Sequence, residues 1–263
     1  MPIVFAGIAP HSGHLMLGKQ EPTPIPKTRA AMQEMHRLFQ AAQPEAVALI
    51  TPHGFAVEGV YTIGAAPYCA GVQDGVVVAA RTELTLAAAW AYRAAERGVP
   101  VLPLIASDPD AALPLDWGAT IPLALLAHSP DTPPLAVACP SAALTRPQLI
   151  AWGEALAVAA DELALRVAFI VSADQGHGHA IDGPYGYAPE SAEYDAAMLA
   201  AVLADDLPRL LTWDDRWIEA AQTDSYWQTL ALIGVQRHVP LHPRVLSYEV
   251  DHYFGLLTAV FLP

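Results

Sequence analysis

Basic residues are scarce in this chain. Thirteen lysines and arginines stand against 27 acids among 263 residues, a formal charge of −14 with a pI near 4.9. Nucleic acid and anionic membrane surfaces are thereby excluded as partners, because both demand a basic face. Cysteine is almost absent as well. Cys69 and Cys139 stand far apart without a C-x-x-C spacing, which argues against a disulfide framework and excludes a cysteine-rich zinc site. Long apolar runs are missing too, since charge or proline interrupts each one before the ~18 residues of a spanning helix. The start, "MPIVFAGIAPH", lacks the basic region that opens a signal peptide. A soluble, reduced, cytoplasmic protein is expected. There is no repeat of fixed long period and no low-complexity linker, so one domain over 1–263 is expected.

What is present is apolar material, 54% of residues against 15% charged, enough for a large core. Six short runs read as strands: 3–9, 45–51, 99–106, 134–140, 165–173 and 244–250. They are β-branched or continuously apolar, as strands buried on both faces are. Helical patterns lie between them at 27–42, 82–98, 116–128 and 145–163. The second begins with Thr82 and ends at Gly98, and the fourth opens on Thr145 with Pro147 near its start. Residues 190–238 read as almost wholly helical. Alternation of this kind predicts an α/β fold in three layers, with a central, mostly parallel or mixed sheet between helices.

Two apolar runs end alike, in "AGIAPH" and "ALITPH". Proline lacks an N–H and turns the chain out of the ladder, so parallel strands would deliver His11 and His53 to one sheet edge. That edge is where open α/β sheets bind ligands. Each histidine taken alone reads more readily as an ordinary loop residue with satisfied nitrogens; two in matching positions make the ligand reading its equal. A third run ends in "VSADQGHGHAIDGPYGY", which holds Asp174, His177, His179, Tyr185 and Tyr187. A turn needs the glycines and one aspartate, but not two histidines. Glu249 interrupts the last apolar run. A carboxylate there is costly unless it is paired, with Arg244 the nearest base, or binds a metal. Asp251 and His252 are the substitutes should Glu249 not serve. Two imidazoles and a carboxylate form the facial set of non-haem Fe(II) sites. The same set holds zinc with an open position for water.

In order along the chain, "PH", "TPHG", S-x-D-x-x-H followed by "GPYGY", and "LSYE" resemble the LigB-type superfamily. These are the class III extradiol ring-cleavage dioxygenases, among them the catalytic subunit of protocatechuate 4,5-dioxygenase. The resemblance runs from residue 10 to 249 and implies a catechol-type substrate opened with O2 at Fe(II). It implies that His11, His53 and Glu249 bind the iron, and that His177 is the acid/base. His179 is the rival base. Asp174 would orient a histidine through its second nitrogen or simply cap a turn. Tyr185 and Tyr187 would contact the substrate ring or belong to the turn. His14 falls in a supporting position or in solvent. The family's members are usually oligomeric, and some carry a small capping subunit, which here would be a separate chain.

Two positions depart from the family pattern. Trp117, in "DWGATIPL", stands where many members have the histidine of Asp-His-Gly, which turns that wall of the site from polar to aromatic. "VDHYFG" replaces the common "PFG" continuation. The rival readings are a MEMO-type, non-enzymatic metal-binding or redox protein, or a zinc hydrolase on the same ligands. Those MEMO-type relatives typically carry a cysteine where this chain has Glu249.

Overall fold

The computed structural model describes residues 1–18, 22–106, 108, 110–127 and 132–263. Its strands are β1 (Ile3–Ala9), β2 (Ala46–Ile50), β3 (Tyr61–Gly64), β4 (Tyr68–Gln73), β5 (Val76–Arg81), β6 (Val101–Leu104), β7 (Ala112–Pro114), β8 (Leu135–Cys139), β9 (Val167–Ser172), β10 (His242–Asp251) and β11 (Phe254–Leu262). The helices are α1 (Pro26–Ala42), α2 (Leu84–Glu96), α3 (Trp117–Leu126), α4 (Arg146–Glu162), α5 (Pro189–Leu203), α6 (Asp215–Ala220) and α7 (Tyr226–Gln236). His128, which closes the third expected helix, lies outside the described residues.

The main sheet runs β10-β11-β1-β9-β2-β8-β3-β6. Its centre is parallel: β1 pairs with β9, β9 with β2, and β2 with β8. Antiparallel pairs flank it, β8 with β3 on one side and β1 with β11 on the other. The expected α/β architecture, a mixed sheet between helical layers, is what the structure has.

Alternation within the strands explains their unbroken apolar character. Ala46, Ala48 and Ile50 of β2 face the layer of α2, α4, α5 and α7, beside Trp90, Trp152 and Ile233. Val47 and Leu49 face α1 and α3, beside Met35, Phe39 and Ile121. Both faces are covered, so neither set can be polar.

Two helices of the larger layer come unusually close. A Cβ added at Gly153 of α4 would lie 1.8 Å from the Ala231 carbonyl, and one at Gly234 of α7 would lie 2.0 Å from that of Ile150. Any side chain at either position would force the pair apart. This contact fixes the axis of α7, whose entry segment carries a residue of the site described below.

The sequence reading missed several strands. Asp74 and Gly75 both have positive φ, at 49° and 78°, and they form the tight turn of the β4–β5 hairpin. More consequential is β11. It lies between β10 and β1, so β10 becomes the sheet's edge rather than a neighbour of β1. The 190–238 region is mostly helical as expected, broken between α5 and α6, where only a short 3-10 turn (Leu207–Thr212) forms, and again between α6 and Tyr226.

Among the described residues no helix is long and apolar enough to cross a membrane. Cys69 and Cys139 are free and buried. Burial pushes their thiols up to about 11 and about 12 respectively. At pH 8 a thiol of pKa about 11 is thiolate in roughly one molecule per thousand. Native protein should therefore resist iodoacetamide, and both cysteines should label after denaturation. Rapid labelling of the native protein, read by intact mass, would contradict this placement.

Candidate metal centre

The site grows out of the carboxyl ends of β1, β9 and β2, which are adjacent in that order. His11 follows β1, Ser172 ends β9, and His53 follows β2. Because β9 lies between the other two strands, its Ser172 can reach the imidazole of His11. His11 Nδ1 lies 2.9 Å from Ser172 Oγ. The Ser172 hydroxyl donates its single proton to the Gly118 carbonyl, so its oxygen accepts from His11 Nδ1–H. His11 Nε2 is thereby aimed away from the sheet, toward His53 Nε2 at 3.1 Å. Orientation of a ligand through its second ring nitrogen is the usual supporting device at metal sites.

His53 is held by an aromatic stack. Its ring lies 4.3 Å from that of Trp117, with 24° between the planes. Trp117 opens α3, whose cap Asp116 accepts hydrogen bonds from the Ala119 N–H and from Thr51 Oγ1. Trp117, expected from the sequence to contact substrate, thus stacks on His53 and leaves about half its surface exposed.

The carboxylate that joins the histidines is Asp224. Its Oδ2 lies 3.1 Å from His53 Nε2 and 3.4 Å from His11 Nε2. Its Oδ1 accepts the Asp174 N–H at 2.9 Å, which leaves Oδ2 to face the imidazoles. Oδ2 is buried without a hydrogen bond, and the three donor atoms form one cluster. Bonds of ~2.0–2.2 Å to one ion put neighbouring donors roughly 3.0–3.5 Å apart, so the observed spacings fit a single cation. The electrostatics agree. Burial alone would lower the pKa of His11, but Asp174 and Asp224 raise it to about 9. Burial alone would raise Asp224, yet His11 and His53 hold it well below the usual carboxylate range. Burial, reinforced by Asp224, pushes Asp174 up. The locus favours positive charge, and a metal ion would displace the Nε2 proton of His11.

Glu249, expected from the sequence to be the third donor, does not join this cluster. It sits on the edge strand β10, with Oε2 accepting from the Thr28 N–H at 2.9 Å and from Thr28 Oγ1 at 3.0 Å. Thr28 lies in the first turn of α1, whose own cap residue, Ile25, supplies no side-chain bond. Glu249 therefore satisfies an orphan N–H at the positive end of a helix. The substitutes named beside it are also engaged elsewhere. Asp251 bonds Ser12 and His14, and His252 pairs with Asp182.

The two histidines of "QGHGH" part company. His177 Nε2 stands 4.0 Å from Asp224 Oδ2, and its ring stacks on Phe254 at 5.5 Å and meets Tyr185 edge-on at 5.7 Å. His179 turns away, and its Nε2 contacts Asp195 Oδ2 at 2.9 Å, an oxygen that also accepts the Tyr248 hydroxyl. Asp174 Oδ1 accepts the His11 N–H at 3.0 Å. Tyr187 is exposed, and no ring contact ties it to the cluster.

Sequence reasoning missed Asp224. It lies in "QTDSYW", between α6 and α7, and an Asp-Ser pair before a helix reads as ordinary capping. The signal available was a charged residue breaking an otherwise helical stretch, entered through Gln222 at φ 52°.

A sheet edge with two imidazoles and a carboxylate converging defines an α/β protein with a candidate metal site. The sequence matches, over residues 7–260, the family described as the catalytic LigB subunit of aromatic ring-opening dioxygenase. The chain belongs to that family, which is metal-dependent and also includes non-enzymatic members. No curated protein matches it. Among solved structures, an uncharacterized protein from Escherichia coli K12, JW3007, is similar in fold with a TM-score of 0.60 and 14% identity, covering 98% of this chain and 99% of that one.

Proposed function

We propose that the chain is a non-haem Fe(II)-dependent extradiol dioxygenase that opens the ring of a catechol-type substrate with O2. The observation that supports this most is the convergence of His11 Nε2, His53 Nε2 and Asp224 Oδ2 in one cluster of donor atoms. Two imidazoles and a carboxylate leave positions open for a diol and for dioxygen. Iron held there would supply Lewis acidity toward the diol and electron transfer to oxygen.

The remaining work falls to the protein. His177, near the cluster without belonging to it, takes the proton of a diol hydroxyl and later returns it. Asp174 and Ser172 hold His11 in orientation. Trp117, Phe254 and Tyr185 offer aromatic surface beside the site. A non-enzymatic redox role is less well served, because both thiols are buried.

The test is oxygen uptake by anaerobically iron-loaded protein against a panel of catechols, beside metal analysis of the protein as purified, since zinc suits the same donors. Catechol-dependent uptake is expected. Its absence from protein carrying one iron per chain would overturn the reading. Because Trp117 makes the wall aromatic, alkyl and aryl catechols should compete better than protocatechuate. A clear preference for protocatechuate would count against that role for Trp117.

A further inference from the structure

No side chain fixes the ring of His177 through its second nitrogen. Among the described residues its Nδ1 is buried without a hydrogen bond, and its Nε2 stands 4.0 Å from Asp224 Oδ2. Phe254 stacks against one face of the ring. Where the nitrogens stand therefore depends on where the main chain holds the residue.

That main chain is tied down at every N–H from 175 to 179. The Gln175 N–H donates to the Gly255 carbonyl at 2.7 Å, and the His179 N–H to that of Tyr253 at 3.0 Å. Both ends are thereby anchored where β10 turns into β11. The His177 N–H donates to the Ala221 carbonyl at 3.2 Å, just past α6. The flanking glycines turn to α5. The Gly176 N–H donates to Asp195 Oδ1 at 2.7 Å, and the Gly178 N–H to Ser191 Oγ at 2.8 Å. A Cβ at Gly176 would lie 2.7 Å from Ser191, and one at Gly178 the same distance from Ala188, so the loop can come this close only as Gly-His-Gly.

Asp195 has a second hold on the loop. Buried on α5, it uses Oδ1 for the residue before His177. Its Oδ2 accepts the Tyr248 hydroxyl at 2.6 Å and faces His179 Nε2 at 2.9 Å. One carboxylate thus brackets His177 on both sides and ties it to β10. Burial and Asp195 itself raise the Tyr248 hydroxyl above its usual range, so it stays a donor. Gly255 leaves the room, since a Cβ there would lie 1.8 Å from Oδ2.

We propose that Asp195 is the positioning residue for His177, setting the place of its imidazole beside the cluster through the Gly176 N–H, His179 and Tyr248. The assignment rests on the reading of His177 as the acid/base of a catechol-opening centre.

The experiment is a double-mutant cycle on iron-loaded protein. Asp195→Asn keeps the shape but puts an amide where two donors meet an oxygen. It should keep its metal and its KM and lose roughly 10–100-fold in kcat, since ~1 Å of misplacement can cost ~10²-fold. In a His177→Ala background the same change should cost no further kcat. The full loss in that background, or native kcat in Asp195→Asn itself, would overturn the inference. Hydrogen exchange gives a readout free of catalysis. Amides 175–179 should be protected in native protein and exchange faster in Asp195→Asn, with β1 and β9 unchanged. Unchanged exchange would overturn the inference and leave the catechol reading intact, whereas native protein that opens no catechol would sink both. Should Asp195→Asn fail to fold, Tyr248→Phe spares the carboxylate, removes one bond and carries the same cycle, and a native kcat there overturns the inference.

Discussion

Asp224→Ala protein is expected to lose its metal while Glu249→Ala protein keeps it. Asp224 supplies the only carboxylate oxygen that faces both His11 and His53 among the described residues. Its removal leaves two imidazoles and an uncompensated charge. Disturbing an outer partner of a metal site costs 10–100-fold in affinity, so deleting a donor should cost more than about 100-fold. His53→Ala should behave like Asp224→Ala. Glu249→Ala instead loses a helix-end contact, with a cost of about 1 kcal/mol in unfolding free energy and an unchanged metal stoichiometry. Elemental analysis and urea titration of the three variants separate the effects. Stoichiometric metal retained by Asp224→Ala would defeat the assignment.

The second large effect concerns turnover. His177→Ala should keep both metal and catechol binding and lose ~10²–10⁴-fold in kcat, the contribution of a general base, or about 2.7–5.5 kcal/mol of barrier. Its Nε2 stands 4.0 Å from Asp224 Oδ2, beside the three clustered donors without being grouped with them. His179→Ala should lose much less kcat but more stability, because Asp195 would be left buried with one partner fewer, at roughly 1–3 kcal/mol. Single-turnover rates and melting curves read the two apart. The reverse ranking in kcat, or loss of metal from His177→Ala, would reassign the roles.

The parts of this protein legible in its sequence are those whose physics is local. The central strands announce themselves because both faces are covered, and Pro10 and Pro52 mark where β1 and β2 stop. That made His11 and His53 readable as a pair at one edge. The carboxylate proposed as third ligand was not readable in the same way. Glu249 drew attention as a charge in an apolar run, but that run is a half-exposed edge strand, where a carboxylate costs little and finds a helix end. Asp224 drew none, because its neighbours imitate a helix cap. Which acid meets two histidines depends on how closely α7 approaches α4, a matter of Gly153 and Gly234 that no short stretch reveals. The choice between His177 and His179 likewise turned on Asp195 and Tyr248, which lie far along the chain.

The position of β1 sets an order of events in time. It is bonded on one side to β9 and on the other to β11, so its nearest partner in sequence begins at Val167. A chain still being synthesised carries His11 and His53 long before the strands that align them exist, and Asp224 arrives later still. Pairings of such long range form slowly and leave apolar strands exposed meanwhile. On the proposed reading, metal capture would be a closing step of assembly. The rate at which refolding protein takes up its ion reports completion of the sheet's centre, not the formation of any single helix.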